Sequence, residues 1–467
     1  MLFSSIFFIF MFLPITAGVY FLIPKKRLDL RNVWLLIVSL IFYSWGEPVY
    51  VFLMIYSAIF NWFMAIQINK EKLRGGSGKR NMIFTLIINL FILGFFKYWS
   101  FLLNTINDIT GLNIKYTALA LPIGISFYTF QGLSYIFDVY RGNVAVQRNP
   151  LKVALYLALF PQLIAGPIVN YKDIEDQLDE RTCSWERFGK GAERFMLGLG
   201  KKIILANNLG ALFDTICALP NSKMSLVTAW IGILGYTFQI YFDFSGYSDM
   251  AIGLGHMFGF EFKENFRYPY IAKTITDFWR RWHISLSTWF RDYVYIPLGG
   301  NRCSKARHIL NLLIVWSLTG LWHGANWNFV AWGTYFGIIL ILEKYVIGKY
   351  IEKWPSFFQH LYTMLIVIIS WVFFSITDTG KMFSYLAMMF GVGGVDFVNT
   401  TALYYLKSNI ILLVASAVAS TPLPLGEFER IKKDFPKLGM IVVIGIFFLA
   451  VSYLVFGSYN PFLYFRF

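Results

Sequence analysis

The sequence predicts an all-α fold, a polytopic transmembrane helical bundle of about 11 spanning helices plus re-entrant segments. Three observations carry that reading. Apolar residues make up 57% of the 467-residue chain and charged residues only 14%, against about 25% charged in a soluble domain. The mean hydropathy is +0.56. Apolar runs of spanning length recur from end to end, with the basic residues gathered in the loops between them.

The formal charge of +15 belongs to those loops. Basic loops stay on the cytoplasmic side of a membrane, so the charge sets orientation. No basic domain stands free of the apolar runs, which argues against a nucleic-acid-binding protein. The first run, residues 3–23, has no basic residue before it and Lys25-Lys26-Arg27 after it. It reads as a retained helix with the N-terminus outside, not as a signal peptide.

Residues 32–45 and 49–68 form a hairpin around Gly46-Glu47-Pro48, with both basic ends in the cytoplasm. Residues 82–103 return outward, and 118–139 come back to meet Arg141 and Arg148. The next run, 151–169, is interrupted by Pro161, Gly166 and Pro167. Lipid cannot satisfy the backbone groups that Gly and Pro free, so this run should be discontinuous and buried in protein. Residues 171–202 are highly charged and expected at the cytoplasmic surface, where Phe188, Phe195, Met196 and Leu199 suggest an amphipathic interfacial helix. Apolar runs resume at 203–218 and 225–255. Charge is most concentrated over 261–307, which should also face the cytoplasm. Further runs lie at 309–322, 327–348, 358–376, 383–394, 408–425 and 437–456. The whole of 1–467 reads as one integral-membrane domain. It lacks a clear internal repeat, which weakens a transporter built from symmetric halves.

Cys183, Cys217 and Cys303 are scattered without CxxC spacing and read as reduced thiols. Neither metal-ligand spacing nor a phosphate loop nor a dinucleotide fingerprint is present in the sequence.

Two histidine segments carry the chemistry. His323 lies in Leu321-Trp322-His323-Gly324-Ala325-Asn326-Trp327. An imidazole at membrane depth is a functional-site hypothesis, and imidazole moves protons near neutral pH. His323 is a candidate general base toward a hydroxyl nucleophile. Gly324 and Ala325 let other groups approach, and Asn326 could orient a ring or a substrate. A histidine bonded to a carbonyl among interfacial tryptophans is the structural alternative. His283 follows Phe278-Trp279-Arg280-Arg281-Trp282. In a continuous helix it would share a face with Trp279. Arg280, Arg281 and Arg291 are candidates to clamp donor phosphates; contact with lipid phosphates is the alternative. Asp243 and Asp249 fall in an apolar run. They either line a polar substrate path or form internal ion pairs and caps. His256, His308 and His360 have no comparable context.

These segments, with Tyr241 to Asp249, Trp289-Phe290-Arg291-Asp292-Tyr293 and Pro297-Leu298-Gly299-Gly300-Asn301-Arg302, resemble the membrane-bound O-acyltransferase family. Within it they are most similar to the alginate O-acetylation branch. Phe42-Tyr43-Ser44-Trp45-Gly46 and Gln162 to Ile168 look like the same branch, so the likeness covers nearly the whole chain. The resemblance implies a helical fold thinned at its centre, with a cytoplasmic funnel, in the plasma or inner membrane. It implies His323 as the catalytic histidine and His283 as the second. The implied donor is a cytoplasmic thioester, acetyl-CoA or an acyl carrier, with no bound cofactor. The implied final acceptor is a surface polysaccharide, reached with an extracytoplasmic SGNH-type acetyltransferase partner. The tail Phe462-Leu463-Tyr464-Phe465-Arg466-Phe467 resembles the aromatic tail of such members. There Tyr464 would be an acyl relay, with an aromatic membrane anchor as the alternative. D-alanyl transfer to teichoic acid is the rival within the family. A lipid or polysaccharide transporter without acyl chemistry is the rival outside it.

Overall fold

A computed structural model describes the chain except Ala165, Ser458, Phe462 and residues 464–467. Tyr464 therefore lies outside the described residues. Among those described, the regular structure is helical, and the sole β feature is an isolated bridge between Ser225 and Asp396. Six described helices are long and apolar enough to cross a membrane: Val51–Leu73, Lys79–Thr110, Trp327–Ile351, Ser356–Ser375, Thr400–Ala419 and Pro436–Phe456. Each overlaps a run expected from the sequence. Other expected spans fall outside the six: 3–23 holds a shorter helix, Phe8–Leu22, 383–394 overlaps an eleven-residue helix, Thr379–Met389, and 225–255 is one long helix, Leu226–Met257.

The chain forms two compact units, Met1–Phe195 with Ser248–Glu264, and Met196–Tyr247 with Asn265–Phe467. In the first, Val51–Leu73 packs on Ile125–Arg141 and on Lys79–Thr110. Asn61 and Asn89 exchange amide hydrogen bonds at 3.1 and 3.2 Å, which satisfies two polar groups where lipid offers no partner. The interrupted run is discontinuous, as its prolines predict. A helix Pro150–Ala158 stops, and a buried turn, Phe160–Leu163, follows. Its free groups are met by side chains: Phe160 N donates to Ser39 Oγ at 3.1 Å, and Tyr156 Oη donates to the carbonyl of Val169 at 2.8 Å.

The stretch expected to hold an amphipathic helix forms the helix Trp185–Gly200. Phe195 and Leu199 on its apolar side are buried, whereas Trp185 is exposed. A Cβ on Gly191 would come within 2.5 Å of the carbonyl of Gly253, so two backbones meet there. On its polar side Arg194 is held by Asp249 at 2.8 Å and Glu264 at 2.6 Å.

In the second unit, Lys305–His323 and Trp327–Leu342 pack backbone to backbone. A Cβ on Gly320 would lie 2.2 Å from the carbonyl of Phe329, and one on Gly333 would lie 2.3 Å from that of Trp316. Only glycine permits that approach. Trp279, Trp332, Phe336, Trp371 and Phe374 fill the core beside the pair.

Candidate active site

The site grows from a break in a helix. Continuous helix through Trp279 and His283 is not what forms. Ile275–Arg281 ends, Trp282 is extended, and Ile284–Phe290 begins anew. His283 sits between them with φ +44°, a left-handed conformation rare for a side chain of this size. Such strain persists only where the surroundings impose it. Here Asn265 imposes it. Its carbonyl accepts from Ile284 N at 3.0 Å. Its side-chain oxygen accepts from Ser285 N at 3.1 Å and Ser285 Oγ at 2.9 Å.

The same oxygen lies 3.2 Å from His283 Nδ1. Because Ser285 N can only donate, the Asn265 atom at this point is the oxygen. Nδ1 must then carry the proton, which leaves the lone pair on Nε2. Nε2 is buried and has no hydrogen-bond partner among the described residues. Burial holds His283 well below the ordinary imidazole pKa, so the ring is neutral. Its faces meet Phe244 at 4.6 Å and Trp322 at 5.9 Å between ring centroids.

His323 is the last residue of Lys305–His323 and is buried. Trp332 and Phe374 pack edge-on to its ring at 5.1 and 5.2 Å. The helix stops at Gly324, where a Cβ would fall 2.2 Å from the Phe329 ring.

His283 and His323 line one cavity of about 230 Å³. Arg280 and Arg291 line it too, and most of the remaining wall is apolar, including Trp279, Phe290 and Trp316. An apolar chamber with a few polar groups is the usual form of a small-molecule site. The N-terminus of the helix that brings Trp279 and Arg280 is fixed by a carboxylate. Glu343 accepts from Ile275 N and Thr276 N, each at 2.8 Å, and from Thr276 Oγ1 at 2.5 Å.

The other candidates have partners of their own. Arg281 pairs with Asp277 at 2.8 Å and is absent from the cavity wall. Arg291 pairs with Asp292 at 2.8 Å while also reaching the wall. Asn326 caps Trp327–Leu342 by accepting from Asn328 N at 3.3 Å. Asp243 and Asp249 form the ion pairs that were the structural alternative. Asp243 pairs with Lys202 at 2.5 Å in full burial, and its other oxygen accepts from Leu463 N at 2.9 Å. Asp249 holds Arg194. Sequence reasoning missed Asn265 and Glu343, and read His308 as bland. Asn265 stands in a polar loop with no periodic signal, and Glu343 acts on residues 67 and 68 positions away.

The profile of the membrane-bound O-acyltransferase family matches residues 145–387. A Pseudomonas aeruginosa protein described as a probable alginate O-acetylase is 43% identical over 397 residues, covering 84% of this chain and 75% of its own. Its Azotobacter vinelandii counterpart is 38% identical, with both chains covered in full. A peptidoglycan O-acetyltransferase of Helicobacter pylori is 36% identical, covering 85% of this chain and 81% of its own. Teichoic acid D-alanyltransferases are similar at lower identity and over a smaller part of the chain.

Proposed function

We propose a reaction from one premise: this chain belongs to the membrane-bound O-acyltransferase family. It is a multi-pass membrane O-acetyltransferase whose acceptor is a polysaccharide of the cell envelope. The acetyl group comes from a cytoplasmic thioester, acetyl-CoA. The chain crosses the inner membrane about eleven times with its N-terminus outside, around a central cytoplasmic funnel. An SGNH-type partner completes transfer on the outer side, and Tyr464 is the candidate relay of the acyl group to it.

The observation that carries the reading is the shared cavity of His283 and His323. Acyl transfer needs a base for the attacking hydroxyl. His323 takes that role, and His283 assists through its unprotonated Nε2. Arg280 and Arg291 suit the phosphates of an anionic donor. Ester and thioester groups are neutral, so the acyl group crosses low-dielectric surroundings without a charged intermediate.

D-alanyl transfer would use a carrier protein as donor and a separate tail protein. The aromatic tail within this chain favours the O-acetyl reading. The test is transfer of radiolabelled acetyl from acetyl-CoA in proteoliposomes. Intact protein should label an outer acceptor or itself, and His323→Ala should not. Transfer from an acyl carrier alone would favour the D-alanylation reading. Normal labelling by folded His323→Ala would refute the assigned base.

A further inference from the structure

The loop after the site contains Pro297-Leu298-Gly299-Gly300, and its turn has a purpose beyond connection. Gly299 and Gly300 adopt φ +108° and +55°. Gly300 N donates to the carbonyl of Tyr295 at 2.9 Å, which closes the turn. Asn311 Nδ2 donates to the carbonyls of Leu298 and Gly300, both at 3.2 Å. This turn sets Tyr295 against His308. Tyr295 Oη lies 2.8 Å from His308 Nε2, and His308 Nδ1 lies 2.6 Å from Tyr345 Oη. His308 is buried, Tyr345 is partly exposed, and Tyr295 lines the cavity of His283 and His323. Lys305 Nζ stands 4.9 Å over the Tyr345 ring.

A neutral imidazole carries one N–H and one lone pair. Between two phenols it donates to one and accepts from the other, and shifting each proton along the chain reverses all three groups. We propose that Tyr295, His308 and Tyr345 form a proton relay from the partly exposed Tyr345 into the cavity, serving the leaving group of acyl transfer. The inference rests on the acyl-transfer reading above.

In that reaction the acyl C–S bond breaks, the acyl C–O bond forms, and the histidine base takes the hydroxyl proton. The departing thiolate then needs a proton. The phenol is the weaker acid, with an unperturbed pKa of about 10 against about 8.5 for a thiol, so transfer from Tyr295 is completed by the proton that follows it from His308. Tyr295 Oη protonates the thiolate, His308 reprotonates Tyr295, Tyr345 reprotonates His308, and water restores Tyr345. The histidine base returns its proton to water, so the net reaction consumes and releases none.

Acetyl-CoA turnover in proteoliposomes is compared for intact protein, His308→Gln and Tyr345→Phe, each verified by its melting midpoint. Glutamine can donate and accept toward both phenols but cannot pass a proton through. The relay requires kcat to fall at least about tenfold in both variants with KM for acetyl-CoA unchanged. It also requires added imidazole to restore part of the turnover of His308→Ala. Wild-type kcat in either His308→Gln or Tyr345→Phe overturns the relay. No turnover of acetyl-CoA by the intact protein would overturn the acyl-transfer assignment instead, and turnover that survives in folded His323→Ala would remove that residue as the base, whatever the His308 variants do.

Discussion

The Arg194 cluster in the first unit and the His283 pocket in the second leave their polar groups in different states. In the first unit the half-buried Arg194 closes on Asp249 and Glu264, and the buried Asn61 on Asn89. In the second, the buried Lys202–Asp243 pair is equally closed, yet His283 keeps an unpartnered Nε2 beside a cavity. A paired buried group serves stability, whereas an unpaired one lowers it and is kept where chemistry uses it. The comparison separates substitutions that change rate from those that change folding.

The largest effect should come from His323→Ala. Losing a general base lowers kcat by about 10²–10⁴-fold, and acetyl transfer per folded molecule should show it. A smaller rate effect is expected at Asn265, which sets the His283 tautomer. Asn265→Leu should lower kcat by about 10–100-fold through misplacement of the ring. Asn265→Asp, which keeps an acceptor, should recover most of it. Equal loss in both variants would mean that the tautomer is not what Asn265 supplies.

Arg194→Ala tests the other side of the comparison. Breaking a partly buried pair should destabilise by about 2 kcal/mol, read as a lower denaturation midpoint. Acetyl transfer per folded molecule should be unchanged. A loss of turnover at full folding would break the division between the two sites.

The smallest effect concerns pH. His283 lies outside the six spanning helices, and burial depresses its pKa. The unfolded chain takes up a proton near pH 6.5 that the folded chain refuses. Stability from this group is therefore full above about pH 6.5 and is lost as pH falls below it. The melting midpoint of intact protein should drop on acidification through that range more than that of His283→Gln. Parallel curves would show that the buried ring does not contribute.

The long apolar runs were legible because lipid imposes length and composition on a spanning helix. The spans 51–73, 79–110 and 436–456 follow that rule closely. The break at 159 was legible from proline chemistry. His283 and His323 stood out as imidazoles amid tryptophans. Asp243 and Asp249 stood out as carboxylates in an apolar run and proved to be ion-pair members, because sequence cannot show that Lys202 and Arg194 come to meet them. The fold of the His283 segment escaped notice. Its helical spacing favoured one helix, whereas Asn265, eighteen positions earlier, bends the chain.

The glycine contact between Lys305–His323 and Trp327–Leu342 has a consequence for how tolerance to substitution is distributed along the chain. Gly320 stands three residues before His323, and its closeness to Phe329 fixes the level at which that helix ends. Any larger residue at Gly320 or Gly333 must slide the two rods apart. A random-mutagenesis screen for lost acetylation should therefore recover positions 320 and 333 beside the histidines. Their phenotypes would resemble those of catalytic residues, although neither glycine has a functional group to offer.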